Sequence, residues 1–243
     1  TGSDDGLIHV SKDGGKNWKN VTPKGLPEWT MINSIEPSAF DEGTCYIAGT
    51  RYKSGDFAPY LYKTTDFGQN WIKIVEGIAP EHFTRVLRED PKRKGLLYAG
   101  TETGMYISFN NGKLWKPFQL NLPIVPITDL TIKNNNLIVA TQGRSLWILD
   151  DLTLLHQLTS DIQEKSMHLY QPKQTIRMEG RSKEGSKTEG MNHPSGVLTY
   201  FYLDTYDAKK DTISLTYFNK NKDTLATFSN HAKEKKDQLN LSA

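Results

Sequence analysis

Ser11-Lys12-Asp13-Gly14-Gly15-Lys16-Asn17-Trp18, Thr64-Thr65-Asp66-Phe67-Gly68-Gln69-Asn70-Trp71 and Ser108-Phe109-Asn110-Asn111-Gly112-Lys113-Leu114-Trp115 are one pattern written three times. The pattern is Ser/Thr-x-Asp-x-Gly-x-x-Trp, with Asn110 standing for Asp in the third copy. Trp18, Trp71 and Trp115 are 53 and 44 residues apart. A repeat decides the architecture ahead of any element-by-element reading, because one unit cannot bury its apolar face alone. Each octapeptide is first a turn. Ser and Asp side chains hydrogen-bond backbone amides a few residues on, Gly supplies positive φ, and Trp brings a large ring to bury against a neighbouring unit.

The residues between the copies read as short strands. Val86–Pro91 is a first strand closed by a turn proline, Leu96–Thr101 a second, Gly104–Ser108 a third and Trp115–Phe118 a fourth. The preceding unit repeats the order with Ile32–Pro37, Cys45–Thr50 and Tyr60–Thr64. β-Branched and aromatic runs punctuated by Gly, Pro, Asn and Asp are the strand signal. Four strands in roughly 40 to 50 residues is the size of a propeller blade. A further unit, Ile127–Ile132, Leu137–Thr141 and Ser145–Asp150, lacks the motif's Gly and Trp, with Asp150 near the Asp position. The first unit starts at its third strand, Leu7–Ser11. The expected fold class is therefore all-β: a partial β-propeller of about four blades, the first incomplete, whose further blades lie in a larger polypeptide.

The octapeptides resemble the Asp-box (BNR) repeat of sialidases, xyloglucanase-like hydrolases and the sortilin/Vps10 luminal domain. Ala140–Asp151 is more specifically similar to the last blade of bacterial sortilin-like proteins labelled "glycosyl hydrolase". The resemblance covers about residues 1–155. It implies an extracytoplasmic setting (secreted or periplasmic), and a ligand rim opposite the Asp-boxes. Ser11, Asp13, Gly15, Trp18, Thr64, Asp66, Gly68, Trp71, Ser108, Asn110, Gly112 and Trp115 are then structural rather than catalytic. Turn capping accounts for every fixed position, and Asp13-Gly14-Gly15 offers too few oxygens for Ca²⁺.

Candidate binding residues come from the opposite loops, where a rigid scaffold carries its functional groups. Arg51–Pro59 supplies Arg51, Tyr52 and Asp56, and the inter-blade loops supply Trp29, Glu81 and His82. Glu102 and Arg144 complete the set. Aromatic faces beside carboxylates and Arg or His suit a groove for carbohydrate or polypeptide. For Trp29 and Phe57 the ordinary reading is a cap over the propeller core, for Arg144 a surface ion pair, and for His82 a solvated loop residue. The rival function is a glycoside hydrolase using a carboxylate pair among Asp56, Glu81 and Glu102, at the spacing such chemistry requires. No catalytic residue is identified.

The remaining sequence narrows the classes. The 243 residues carry 30 Lys+Arg and 28 Asp+Glu, a net charge of +2, which gives no basic face for nucleic acid. No apolar run reaches the length of a membrane helix, so no membrane insertion is expected in this segment. The single cysteine, Cys45, excludes an internal disulfide. No metal or other cofactor is expected: His168 and His193 lack ligand spacing and read as loop residues. Thr1–Asp5 is not a signal peptide. Residues 1–155 form the propeller segment, and 156–166 a connector that follows a short helix within Asp151–Leu158. Residues 167–243 read as a partial immunoglobulin-like β-sandwich with strands at Val197–Leu203, Thr212–Phe218 and Thr224–Phe228. Arg181–Gly190 reads as a charged loop and Lys233–Asp237 as a solvated charge run.

Overall fold

The computed structural model describes residues 1–176, 196–207 and 209–239. The charged stretch Arg181–Gly190, His193 and the final Leu241-Ser242-Ala243 lie outside the described residues. The chain forms two compact units, one built on Thr1–His156 and one beginning at Gln157.

The first unit is a succession of antiparallel sheets. β1 (His9–Val10) pairs with β2 (Lys19–Asn20). β3 (Met31–Pro37), β4 (Cys45–Arg51), β5 (Asp56–Thr64) and β6 (Ile72–Lys73) form a four-stranded meander in chain order. β7 (Thr84–Glu89), β8 (Leu97–Thr101), β9 (Gly104–Ser108) and β10 (Lys116–Pro117) repeat it. β11 (Ile127–Lys133), β12 (Asn136–Thr141) and β13 (Leu146–Leu149) make a three-stranded sheet. This is the all-β propeller segment that the repeat implies. The first sheet holds slightly more than its third and fourth strands: Gly2 bridges to Ile8, and His9 N–H donates to Thr1 O at 2.9 Å.

Three cores lie between successive sheets, which explains why the middle strands read as unbroken apolar runs rather than alternating ones. Ile47, Tyr60 and Tyr62 pack with Ile8 and Val21 of the first sheet. Tyr46, Ala48 and Leu61, on the other face of the same strands, pack with Leu87, Leu97 and Tyr106 of the next. Tyr98, Met105 and Ile107 then meet Ile127, Leu130 and Leu137. Arg88 on β7 crosses both junctions of the first strands. Its Nη1 donates to Ser34 Oγ at 2.7 Å, its Nε to Leu130 O at 2.8 Å, and its Nη2 pairs with Asp129 at 2.7 Å.

The three octapeptides adopt one hydrogen-bonded turn. The hydroxyl of Ser11, Thr64 or Ser108 accepts the N–H of Gly15, Gly68 or Gly112 at 2.8, 2.9 and 3.0 Å. It donates to Asp13, Asp66 or Asn110 at 2.8, 2.9 and 3.0 Å. That carboxylate or amide oxygen takes the N–H four residues on, from Asn17, Asn70 or Leu114, at 2.9 Å in each copy. Bonds from the backbone and side chain of Asn17, then from Ser11, hold the Asp13 carboxyl down to about 2, against a usual value of 3.8. A depressed carboxyl stabilises the fold above its unfolded pKa and loses that contribution as pH falls through its folded one. Asp13 is therefore expected to titrate near pH 2 in a carboxyl-detected NMR titration; a midpoint at or above 3.8 would mean the turn does not hold in solution.

The fourth sheet keeps the turn's position but not its chemistry. Strand register places Leu149 where Ser108 stands, which makes Asp151, one residue past Asp150, the counterpart of Asn110. Leu152 N–H donates to Asn135 O at 2.8 Å, as Phe67 and Asn111 donate to Gly43 and Gly95. The chain then turns into helix α1 (Thr153–Gln157) instead of a fourth strand. Asp90 anchors that helix to the third sheet. Its buried Oδ2 lies 2.9 Å from His156 Nε2 and accepts the Tyr98 hydroxyl at 3.3 Å, while Oδ1 accepts the N–H groups of Lys92 and Arg93.

The second unit contains a 3-10 turn (Ser160–Glu164) and two antiparallel strand pairs. β14 (Met167–Leu169) pairs with β15 (Phe201–Leu203), and β16 (Ser214–Phe218) with β17 (Thr224–Ser229). The reading of His168 as a loop residue is corrected: it lies on β14, its ring edge-on to Tyr170 at 4.7 Å. Sequence missed β14 because only three residues pair, too few for an alternation to register. Lys235–Asp237 forms a short 3-10 turn within the predicted charge run.

Candidate functional site

In an antiparallel meander the connections alternate between two rims. The octapeptide turns occupy one. The β4–β5, β8–β9 and β12–β13 connections, and the segments leading into β3, β7 and β11, occupy the other. All eight candidate residues fall on that second rim, at three levels of engagement.

Around the β4–β5 connection they converge. Arg51 Nη1 pairs with Asp56 Oδ2 at 2.8 Å, and the same oxygen accepts the Tyr60 hydroxyl at 2.7 Å. Partial burial acts to raise the Asp56 pKa, but bonds from Tyr60, the Ala58 N–H and Arg51 outweigh it and hold the carboxyl low. Tyr52 stacks on Phe83, the residue before β7, with centroids 5.1 Å apart and planes 15° apart. Arg85 lies over both rings, 5.5 and 5.3 Å from their centroids, and its Nη2 pairs with Glu102 at 2.6 Å. Phe57 reaches the same cluster 6.0 Å from Phe83, with about half its surface in solvent. A groove of about 190 Å³ runs beside it, lined by Trp29, Met31, Arg51, Tyr52 and Lys53 among others.

Trp29 overturns its ordinary reading. Its ring is 68% exposed, not a cap over the core, and its backbone has φ +61°, a conformation that costs roughly 1 to 3 kcal/mol for a bulky residue. Trp29 N–H donates to Asp5 O at 3.1 Å, which holds the segment in place. Phe57 keeps part of its ordinary reading, since it packs on the buried Phe83 while about half its surface stays in solvent.

His82 is not a free loop residue either. Its Nδ1 lies 2.8 Å from the Tyr106 hydroxyl, and the ring meets Tyr106 edge-on at 6.0 Å. Glu81 is solvent-exposed. Arg144 is exposed too and forms none of the ion pairs among the described residues; its carbonyl accepts the Trp147 indole N–H at 2.8 Å. Sequence reasoning missed Phe83, just before β7, and Arg85 and Tyr60, inside β7 and β5, where core packing is the default reading. The signal was present in Arg85, a charge between the strand residues Thr84 and Val86, both of which are buried.

Burial pushes the Cys45 thiol up to about 11, away from nucleophilic character. Among the described residues no group of three His, Cys, Asp or Glu could hold a metal ion, and no helix is long and apolar enough to cross a membrane.

No protein-family model matches this chain, and no curated protein matches it in sequence. Solved structures are similar in fold. "YCF48 bound to D1 peptide" shares 20% identity over 61% of this chain and 46% of its own, with a TM-score of 0.47. The GH74 xyloglucanase from Xanthomonas campestris shares 18% over 61% and 24%, at 0.46. The Niastella koreensis GH74 enzyme shares 15% over 62% and 26%, at 0.48. The chain thus spans less than half the length of each of these.

Proposed function

We propose that this propeller segment is a binding module whose rim opposite the octapeptide turns holds a carbohydrate chain. The observation that carries the reading is the pairing of charge beside free aromatic faces. Arg51 is matched by Asp56 and Arg85 by Glu102, while Trp29 presents an open ring and Phe57 a half-exposed one. Internally compensated ion pairs supply hydrogen-bonding groups without net charge, and exposed rings cover the apolar faces of sugars. That combination suits a neutral, polyhydroxylated ligand better than a charged peptide. Within the rival hydrolase reading Asp56, whose carboxyl is held low, is suited to the ionised partner of a carboxylate pair and not to the general acid.

The finer assignments belong to the same reading. The octapeptides are Asp-boxes of a sortilin-like protein, working outside the cytoplasm, and the residues after the connector at 156–166 form part of an immunoglobulin-like sandwich. Titration against a panel of neutral oligosaccharides tests the function. Trp29→Ala is expected to weaken binding at least about tenfold, about 1.4 kcal/mol, with the circular dichroism spectrum unchanged because the ring is exposed. Binding confined to a peptide panel, yet still sensitive to Trp29→Ala, would move the ligand to polypeptide. Turnover of a glycan, lost on changing Asp56, would establish the hydrolase.

A further inference from the structure

The joint between the second and third sheets holds an amine beside a carboxamide. Tyr46 and Lys63 are cross-strand partners on β4 and β5, so both stand on the face that packs against the third sheet. Lys63 Nζ donates to Asn111 Oδ1 at 3.1 Å. The Tyr46 hydroxyl lies 3.2 Å from that same oxygen and 3.2 Å from Glu89 Oε1. Glu89 is 4% exposed, and its other oxygen, Oε2, is buried with no hydrogen-bond partner. Among the described residues neither Lys63 nor Glu89 belongs to an ion pair. A buried carboxylate oxygen without a donor is costly, and one held a single hydroxyl away from an amine and an amide points to proton transfer.

The octapeptide turn does not account for Asn111. The turn's side-chain bonds come from Ser108 and Asn110, and the next position is Gly14 in the first copy and Phe67 in the second. Asn tolerates the φ of +62° found here, but Phe67 adopts +59° at the same place. What Asn111 alone supplies is a carboxamide in a fixed orientation. Its backbone N–H donates to Gly95 O at 2.9 Å, and a Cβ on Gly95 would stand 2.7 Å from its Nδ2. The nitrogen end of the amide therefore rests on Gly95, and the carbonyl end faces Lys63 and Tyr46.

We propose that Lys63 and Asn111 join spontaneously in a side-chain isopeptide bond that ties the second sheet to the third. The Lys63 ammonium first gives one proton to solvent. Its lone pair then forms the Nζ–Cγ bond while the carbonyl electron pair moves onto Oδ1, where the Tyr46 hydroxyl donates to it. Glu89 takes the proton that Nζ sheds as the bond forms, and later returns it to solvent. Nδ2 gains a proton and leaves as ammonia when the carbonyl re-forms and the Cγ–Nδ2 bond breaks. The balance is amine plus carboxamide giving secondary amide plus ammonia, with no oxidant or co-reactant. Burial lowers the Lys63 pKa, which favours the free amine. Burial, then Glu89, raises that of Tyr46, which keeps its hydroxyl a donor.

The test is the intact mass of the full chain, which is expected to fall short of the sequence mass by one ammonia. A proteolytic digest is expected to yield a branched peptide joining Lys63 to Asn111. Lys63→Arg keeps the positive charge without the nucleophile, and is expected to retain its full mass with an unchanged circular dichroism spectrum. Followed from cell-free synthesis, Glu89→Gln is expected to lose ammonia at least about tenfold more slowly and with an altered pH profile, whose shape a purely structural role would not move. An unaltered chain that keeps its full mass after days at mildly alkaline pH would overturn the proposal. So would a loss of ammonia that persists in Lys63→Arg, since Asn111 would then have cyclised onto the Gly112 nitrogen instead.

Discussion

Trp115→Ala is expected to cost the first unit about 3 to 5 kcal/mol, the range for deleting a fully buried aromatic side chain. The ring is part of the core between the second and third sheets. Its loss would leave a cavity, remove the bond to Ile74 O, and unseat the backbone bond from Trp115 N–H to Glu76 O at 2.8 Å. At roughly 2 to 4 °C per kcal/mol for a unit of this size, the midpoint of thermal unfolding should fall by about 10 °C. Trp18→Ala changes the same residue at the same place in the motif and is expected to cost less than about 1 kcal/mol, because half the ring is already in water. Trp115→Phe separates the contributions: it keeps most of the buried area and leaves Ile74 O without its donor, for a loss of about 1 to 2 kcal/mol. Equal losses for Trp18→Ala and Trp115→Ala by denaturant titration would show that the turn, and not the joint between sheets, carries the tryptophan's contribution.

Asp90→Ala is expected to be comparably damaging, about 3 to 5 kcal/mol, although it removes only a small side chain. The carboxylate is fully buried and serves four partners: His156, the Tyr98 hydroxyl and the N–H groups of Lys92 and Arg93. Leaving buried donors without an acceptor costs more than the net worth of the bonds themselves. Burial, then the Asp90 charge, raises the Tyr98 pKa, which keeps its hydroxyl a donor throughout the physiological range. Asp129→Ala is the control. Asp129 also pairs with an arginine, Arg88, at 2.7 Å, but its carboxylate is mostly in solvent, and such pairs contribute about 0 to 1 kcal/mol. Hydrogen exchange should report the difference locally, with the amides of residues 152–156 opening in Asp90→Ala while β7 stays protected. If Asp90→Ala and Asp129→Ala are alike, the helix is held by Leu152 and its apolar neighbours and the buried network contributes little.

The strand order of the first unit was readable because each sheet is a local meander. Its pairings join neighbouring segments, and turn chemistry marks each reversal, so Asp13, Asp66 and Asn110 announce their hairpins without knowledge of any distant residue. The rim was legible to the same extent: the connectivity placed Trp29, Arg51, Tyr52, Asp56, Glu81, His82, Glu102 and Arg144 on one side. Which of them act together was not legible. Tyr52 lies in the β4–β5 connection and Phe83 just before β7, and only the packing of one sheet on the next brings their rings to 5.1 Å. The exposure of Trp29 was likewise hidden, since an aromatic residue in a loop is equally compatible with a cap and a platform.

Two features separate the levels most clearly. Asp150 looked like the motif's aspartate, and strand pairing moved the register to Asp151; a one-residue shift is invisible when Gly and Trp are gone and nothing else marks the frame. The octapeptide gave Trp18, Trp71 and Trp115 identical standing, and their environments differ from half-exposed to buried. The sequence by itself determined what depends on neighbours in the chain: the turns, the strands they join, and the rim each connection occupies. Only the tertiary structure decided which tryptophan is clamped between sheets and which rim residues meet. Those outcomes depend on apolar burial and unpaired polar groups contributed by residues some fifty positions away, for which a local pattern carries no information.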